Sequence, residues 1–488
     1  MTFPSAQSLG VLRRQFVLSE EAIDVPPDWR VQRCGRWLLH HHEELPVVEL
    51  TGATKRGWLV GWPILGTSIC EAELSVGNNG WDHVESALYR LGGCWLSVVV
   101  GHAGERLYVD PVGSMPCVFA LDRKLLASST TALMAGGAAE VKDVDLERLL
   151  DVWHTDLWYP FGLTLLRNAR RLLPNHYLDL GAWSAARLWP PAGSLQTRSR
   201  EDVVAIVLSA VRRQIQAVAS KDELYLPLTA GRDSRMLLAC ARAVSNRVRA
   251  HTIRLPGTGG QIDAQIAPRV ARRAAVRHEL LEHVEAGAEE LELFQYRVGY
   301  CVAGQVWRTV RTRRQLEARR LSLAGMGGEI ARAYYWRPSD VDAVALTPED
   351  ILDRMHMPRH PSLVSSAAEW LSGLPFPTVQ RLQSLDLLYM EQRLGCWAAP
   401  QRLGLAECPI GISPMNHREV IKAMLSLDPE HKRVGRLQED ITRLAWPELL
   451  RLPYNAPTPW MRGRRLLVTV GRRGRRFLGK VGQKLSKT

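Results

Sequence analysis

Between residues 224 and 275 the chain alternates two short β-rich runs with two helical ones. LYLPL (224–228) is followed by a helix opened by MLLACARAV (236–244), and VRAHTIRL (248–255) by a helix over 263–275. Short apolar strands that return through helices do not form hairpins; they imply a parallel sheet with crossover connections. The first strand and helix are joined by TAGRDSR (229–235). A strand that ends in small residues and turns into a helix presents backbone N–H groups and the positive end of the helix dipole to an anion. Ala230 and Gly231 allow a pyrophosphate close to the backbone, and Thr229 and Ser234 add hydroxyl donors. A carboxylate at Asp233 would repel those phosphates without a divalent cation between them, which predicts Mg2+ there. The alternative is a tight strand-to-helix turn with Asp233 as a cap. No GxxxxGKS/T string is present, so a Walker-type ATPase is disfavoured.

A second glycine-rich segment, LAGMGGEIARAYYW (323–336), also follows a short apolar run, and its Glu329 is a candidate second carboxylate for the metal. Two such loops on one sheet edge would clamp a nucleotide and its cation. The competing reading is a turn before an aromatic-rich helix.

At 488 residues the chain exceeds what one core usually organises, so two domains are expected. The first half carries short β-rich runs such as WLSVVVGH (95–102) and RLYVDP (106–111) and reads as an α+β domain. PPAGSLQTRSR (190–200), rich in Pro, Gly, Ser and Thr, marks the boundary. Beyond it EDVVAIVLSAVRRQIQAVAS (201–220) has helical apolar spacing, and EVIKAMLSL (419–427) reads as helix.

Composition narrows the setting. Hydrophobic residues make up 46% and charged residues 23%, as in a globular chain. Eight cysteines lie at 34, 70, 94, 117, 240, 301, 396 and 408 without a CxxC pair, which fits a reducing cytoplasm. MTFPSAQSLG lacks the pattern of a secretion signal, and no run of about eighteen apolar residues is seen, so a cytoplasmic protein is expected. The net charge of +13 is concentrated in residues 461–488, which hold ten Lys or Arg and no acid, so the body does not call for nucleic acid. That tail interleaves apolar residues with its cations and suits either a solvated extension or an element for an acidic peptide or membrane surface. Gly471, Gly474, Gly479 and Gly482 oppose a stable helix. His40, His41 and His42, before Glu43, Glu44 and Pro46, read as a solvated helix end. HELLEH (278–283) misses the spacing of a zinc-protease helix.

Five segments, in order, resemble class II asparagine synthetases and their relatives, the β-lactam synthetases and lasso-peptide cyclases. LTAGRDS (228–234) is similar to the LSGGxDS pyrophosphate loop, and GMGGEIARAYY (325–335) to the GEGxDExxxGY segment. LYVDPVGSMPCVFA (107–120), LLASSTTAL (125–133) and FGLTLLRNARRLLPNHYLDL (161–180) resemble stretches of the glutaminase-like half. The resemblance covers roughly residues 90 to 430.

It implies an α/β plus α+β chain: a glutaminase-like sandwich of the N-terminal-nucleophile hydrolase type over 1–192, an adenine-nucleotide α-hydrolase (PP-loop) synthetase domain over 200–460, and the basic tail over 461–488. ATP and Mg2+ are the implied cofactors. Pyrophosphate falls on Thr229, Ala230, Gly231 and Ser234, Mg2+ on Asp233 and Glu329, and the adenosine pocket on Leu228, Ile253 and Gly325. The implied reaction adenylates a small-molecule or peptide carboxylate, which a nitrogen nucleophile then attacks.

Three departures sharpen this expectation. Thr2 stands where the glutamine-using enzymes have their nucleophilic cysteine, and GWLVGWPILG (57–66) lacks the Glu and Asn of their glutamine-binding segment, so no glutaminase activity is expected. Met326 stands where the family has Glu or Tyr for the nitrogen-attack step. The family's lysine segment is not evident near RLPYNAPTP (451–459), which leaves Arg232 or Arg332 to supply the cation on the phosphates. Beside the ligase reading stand a catalytically degenerate member that binds nucleotide or a partner, and a PP-loop tRNA-modifying enzyme.

Overall fold

The computed structural model describes residues 6–455 except 78–79, 192–194, 342–344 and 376–380, so the basic tail and Thr2 lie outside the described residues. The chain is mixed α/β and contains three principal sheets. Two lie in the first half. Six strands run in the order Ala169–Arg171, Val118–Ala120, Leu125–Ala127, Phe16–Ser19, Trp37–His42, Trp29–Cys34. A larger sheet is centred on the long antiparallel pair Lys55–Leu65 and Leu91–Gly101. Phe16, Leu18, Trp37 and Leu39 of the first and Trp58, Val60, Leu96 and Val98 of the second are buried in one continuous core.

His40, His41 and His42 are not a solvated helix end. They close the strand Trp37–His42, which is buried throughout because it pairs on both sides. Backbone partners hold two of the rings: Ile23 N donates to His40 Nε2 at 3.2 Å and Glu44 N to His42 Nδ1 at 3.1 Å. Burial pulls all three below the ordinary histidine pKa.

The second half is built on five parallel strands in the order Arg277–Glu282, Val248–Arg254, Leu224–Pro227, Leu321–Leu323, Ile410–Ile412. The chain winds outward from Leu224–Pro227 in one direction, then crosses back to lay Leu321–Leu323 on its other side. HELLEH therefore falls on an edge strand. Helix Arg200–Lys221, capped by Ser199, packs its apolar side against helices Arg418–Leu425 and Leu437–Ala445. By length and composition it could cross a bilayer, a feature the sequence reading passed over, but 61% of its most apolar window is buried within the protein. Helix Gly257–Arg273 begins six residues before the expected Asp263. The reason is close packing: a Cβ at Gly260 would lie 2.2 Å from the Leu255 carbonyl oxygen, so glycine here permits the first turn to sit on the strand it follows.

Buried carboxylates knit the halves together. Asp110 accepts from the backbone N–H groups of Trp95, Val112, Ser114 and Met115 and from Asn416 Nδ2 at 2.8 Å. Glu391, fully buried, takes two bonds from Arg187 (2.6 and 2.8 Å), one from Asn175 and one from Trp370 Nε1. Burial alone would raise the Glu391 pKa; Arg187, with His176 and Asn175, outweighs it and holds the group below its ordinary value.

Replacing Glu391 with Gln leaves Arg187 buried without its counter-charge and is expected to cost about 3–5 kcal/mol in urea unfolding. Because the folded pKa lies below the unfolded one, Glu391 contributes fully above about pH 4.3 and loses that contribution as pH falls through the folded value. The variant should therefore show a shallower loss of stability in acid than the parent, measured by unfolding midpoints across that range.

Candidate functional site

Strands Leu224–Pro227 and Leu321–Leu323 are adjacent and parallel, and the winding direction reverses between them. In open parallel sheets the crevice beyond the strand ends at such a reversal is where ligands bind. Both segments singled out in the sequence, TAGRDS and GMGGEI, leave the sheet there.

Leu226 and Leu228 are fully buried, and Leu228 prolongs the pairing by donating to the His251 carbonyl at 2.8 Å. Gly231, in an extended conformation, caps helix Arg232–Cys240. The loop is thus shorter than expected, and Asp233 lies in the first helical turn without capping it. The loop amides have partners: Thr229 N donates to Ser234 Oγ at 3.0 Å, Ala230 N to Asp263 Oδ1 at 2.8 Å and Gly231 N to Thr229 Oγ1 at 3.1 Å. A carboxylate therefore already sits on one amide of the loop. Burial raises the Asp263 pKa, opposed by the Ala230 N–H.

On the neighbouring loop Gly327 has φ +98°, a left-handed conformation that glycine adopts without strain, and it turns the chain into the short helix Gly328–Ala331. A Cβ at Gly328 would lie 2.2 Å from Asp233 Oδ1, so glycine lets the two loops meet. Glu329 and Asp233 then converge on one guanidinium nitrogen. Arg332 Nη2 lies 2.8 Å from Asp233 Oδ2 and 2.7 Å from Glu329 Oε1. The outer oxygens are also engaged, Asp233 Oδ1 by Gln438 Nε2 at 3.1 Å and Glu329 Oε2 by the Tyr389 hydroxyl at 3.1 Å. Burial raises the Asp233 pKa, Arg332 opposes it and Glu329 adds to it. Burial, with the Glu329 charge, pushes the Tyr389 phenol well above its usual range.

The structure thus brings Thr229, Ala230, Gly231, Asp233, Ser234, Gly325, Glu329 and Arg332 together. Arg232 points elsewhere, its Nε 2.8 Å from Glu439 and its Nη1 3.1 Å from the Gly435 carbonyl. Ile253 is half-buried against the cluster of Tyr225, Leu281 and Leu316. Met326 is partly buried, and its carbonyl accepts from Ser413 Oγ at 2.6 Å. Residues 451–455 do reach the loop: Asn455 N donates to the Ala230 carbonyl at 3.2 Å, and Arg235 donates to the carbonyls of Leu452 and Pro453 under the Tyr454 ring. Residues 456–459 lie outside the described residues.

Sequence reasoning missed Arg235, Asp263, Tyr389 and Gln438. Arg235 and Asp263 fell inside quoted segments and could have been weighed as loop partners. Gln438 lies 205 residues from Asp233 and carried no local signal.

Two carboxylate oxygens aimed at one point are hard donors of the kind that hold Mg2+, and the cation between them here is Arg332. The donor set fits a divalent ion once that guanidinium moves. Arg332→Gln should leave two uncompensated carboxylates and lower stability by about 1–3 kcal/mol. Added Mn2+ should raise the melting temperature of the variant more than that of the parent, and equal shifts would deny the carboxylates a shared cation site. No family model and no curated protein matches this chain, so its geometry and its own motifs carry the functional reading.

Proposed function

We propose that the chain is an asparagine synthetase-like, AMP-forming ligase that uses ATP to activate a carboxylate for attack by a nitrogen nucleophile, without hydrolysing glutamine. The observation that carries this reading is the meeting of TAGRDS and GMGGEI at the reversal point of the parallel sheet, with Asp233 and Glu329 directed at one cation. On this reading the first half is a glutaminase-like sandwich kept as scaffold, and the parallel sheet belongs to a PP-loop synthetase domain.

Asp233 and Glu329 are the residues that would hold Mg2+, whose contribution is to neutralise phosphate charge as pyrophosphate departs. Thr229, Ala230, Gly231 and Ser234 orient the phosphates, and the helix that starts at Arg232 turns its positive end toward them. Release of Arg332 from the two acids frees a fixed cation for the same phosphates, the role for which the family uses lysine. Gly325 keeps the floor of the site open, since a Cβ there would contact Asp233 at 3.3 Å. The substrate acid is a small molecule or a peptide.

A second reading is a nucleotide- or partner-binding protein without turnover. Arg332 in the cation position, Asp263 on the Ala230 amide and Met326 without a proton to transfer favour it.

The two separate in one assay. With ATP, Mg2+ and a panel of organic acids and short peptides, the ligase releases pyrophosphate in a substrate-dependent way, and Asp233→Asn lowers the rate about a hundred-fold. ATP binding by calorimetry without pyrophosphate release from any member of the panel would establish the second reading instead.

A further inference from the structure

A cavity of about 340 Å3 lies between the two halves of the molecule. At one end it reaches Ser234, Gly325 and Met326, the inner sides of the two loops. At the other it meets a shallow depression through Arg14, Trp62 and Ile410, which line both. The charge of its wall is one-sided: among the described residues Arg13, Arg14, Arg313 and Arg402 line it, and no Asp or Glu does.

Two of these arginines are accounted for. Arg13 and Arg14 both pair with Glu44, and Arg14 also donates to the carbonyls of Cys408 and Ala318. The other two are not. Arg313 donates Nε to Thr309 Oγ1 at 2.9 Å and has no carboxylate partner among the described residues. The Arg402 guanidinium has neither a hydrogen-bond nor an ion-pair partner among them. Nearby Arg297, Arg311, Arg314 and Arg320 each pair with a glutamate, whereas the two that line the cavity do not. Burial lowers the Arg313 pKa, the mark of a cation held away from water. His251, also on the wall, is pulled to about 3 by burial and by Arg313, so it stays neutral and supplies no competing charge.

Both side chains are half-buried, and a partly desolvated guanidinium without a counter-ion is costly, a cost that an anion entering the cavity offsets. The remaining wall is largely hydrocarbon, from Leu316, Leu403, Leu405 and Ile410 with Trp62 at the mouth. We propose that this cavity binds an organic acid, its carboxylate held by Arg313 and Arg402 and its apolar body laid along the leucine-rich wall. The planar guanidinium matches a carboxylate edge, and the hydrocarbon wall suits a monoanion with an apolar body better than a free phosphate. That the acid so held is the one activated at the adjoining loops rests on the ligase reading; its binding does not.

Calorimetric titration without nucleotide tests this with hexanoate and its neutral isostere hexanamide. One equivalent of hexanoate should bind the parent protein, and hexanamide at least ten-fold more weakly. Arg402→Gln should weaken hexanoate about ten-fold, and Arg313→Lys, which keeps the charge but loses the planar fork and avoids an unfolded Arg313→Gln variant, should weaken it by a smaller factor. Equal binding of acid and amide, undiminished binding by Arg402→Gln, or no binding of hexanoate to the parent would overturn the proposal and leave the nucleotide reading untouched. Conversely, a protein that binds hexanoate but not ATP retains the cavity and loses the ligase.

Discussion

Two carboxylates placed against one another at the end of a parallel sheet cannot both remain ionised unless a cation lies between them. Asp233 and Glu329 are in that position, and Arg332 is the cation. Their loops leave adjacent strands, and the sheet order brings those strands together although they are separated by almost a hundred residues in sequence. The guanidinium therefore does more than neutralise charge. It ties two crossover units across the reversal point and fixes the floor of the crevice between them.

That crevice depends in turn on how the halves of the molecule are joined. Asp110 and Glu391 are both buried, and each draws donors from both halves. Such groups tolerate few alternative arrangements, because a shift of one partner strands a charge in a dry interior. Apolar packing also joins the halves, one buried core running through both, and the Arg313 and Arg402 side chains line the cavity left between them.

Much of the parallel sheet was legible because its signals are local. LYLPL and VRAHTIRL carry β-rich character bounded by breakers, and the small residues after the first strand have the composition a strand-to-helix turn requires. Errors arose where tertiary pairing overrode local character. WLLHHH looks like a polar end in isolation, but strands pair with it on both sides, and backbone groups hydrogen-bond two of its rings. GTGG before Asp263 reads as a break, yet close approach to Leu255 makes it the first turn of a helix. Within the site, the acids and glycines of the two loops were readable as chemistry waiting for a cation. Which cation was not, since Arg332 reveals its part only when the loops meet. Gln438 and Tyr389, which fix the outer oxygens, come from distant helices and carry no pattern that points back to the loop.

The site as it stands is closed by its own side chains. Arg332 lies where the proposed ligase would hold its divalent ion, and Asp263 accepts the Ala230 amide that this reading gives to a phosphate. On the proposed ligase reading, a nucleotide with its metal would replace like with like: phosphate oxygen for carboxylate oxygen on the amide, and metal for guanidinium between the acids. The net change is then a difference between similar interactions, smaller than the energy of any one contact and set by how well the displaced groups find new partners. Asp263, whose raised pKa marks an environment that disfavours its charge, is the easier to move. On that reading Arg332 would regain a counter-charge from the phosphates themselves, so the guanidinium that ties Asp233 to Glu329 is the group with most reason to remain at the site.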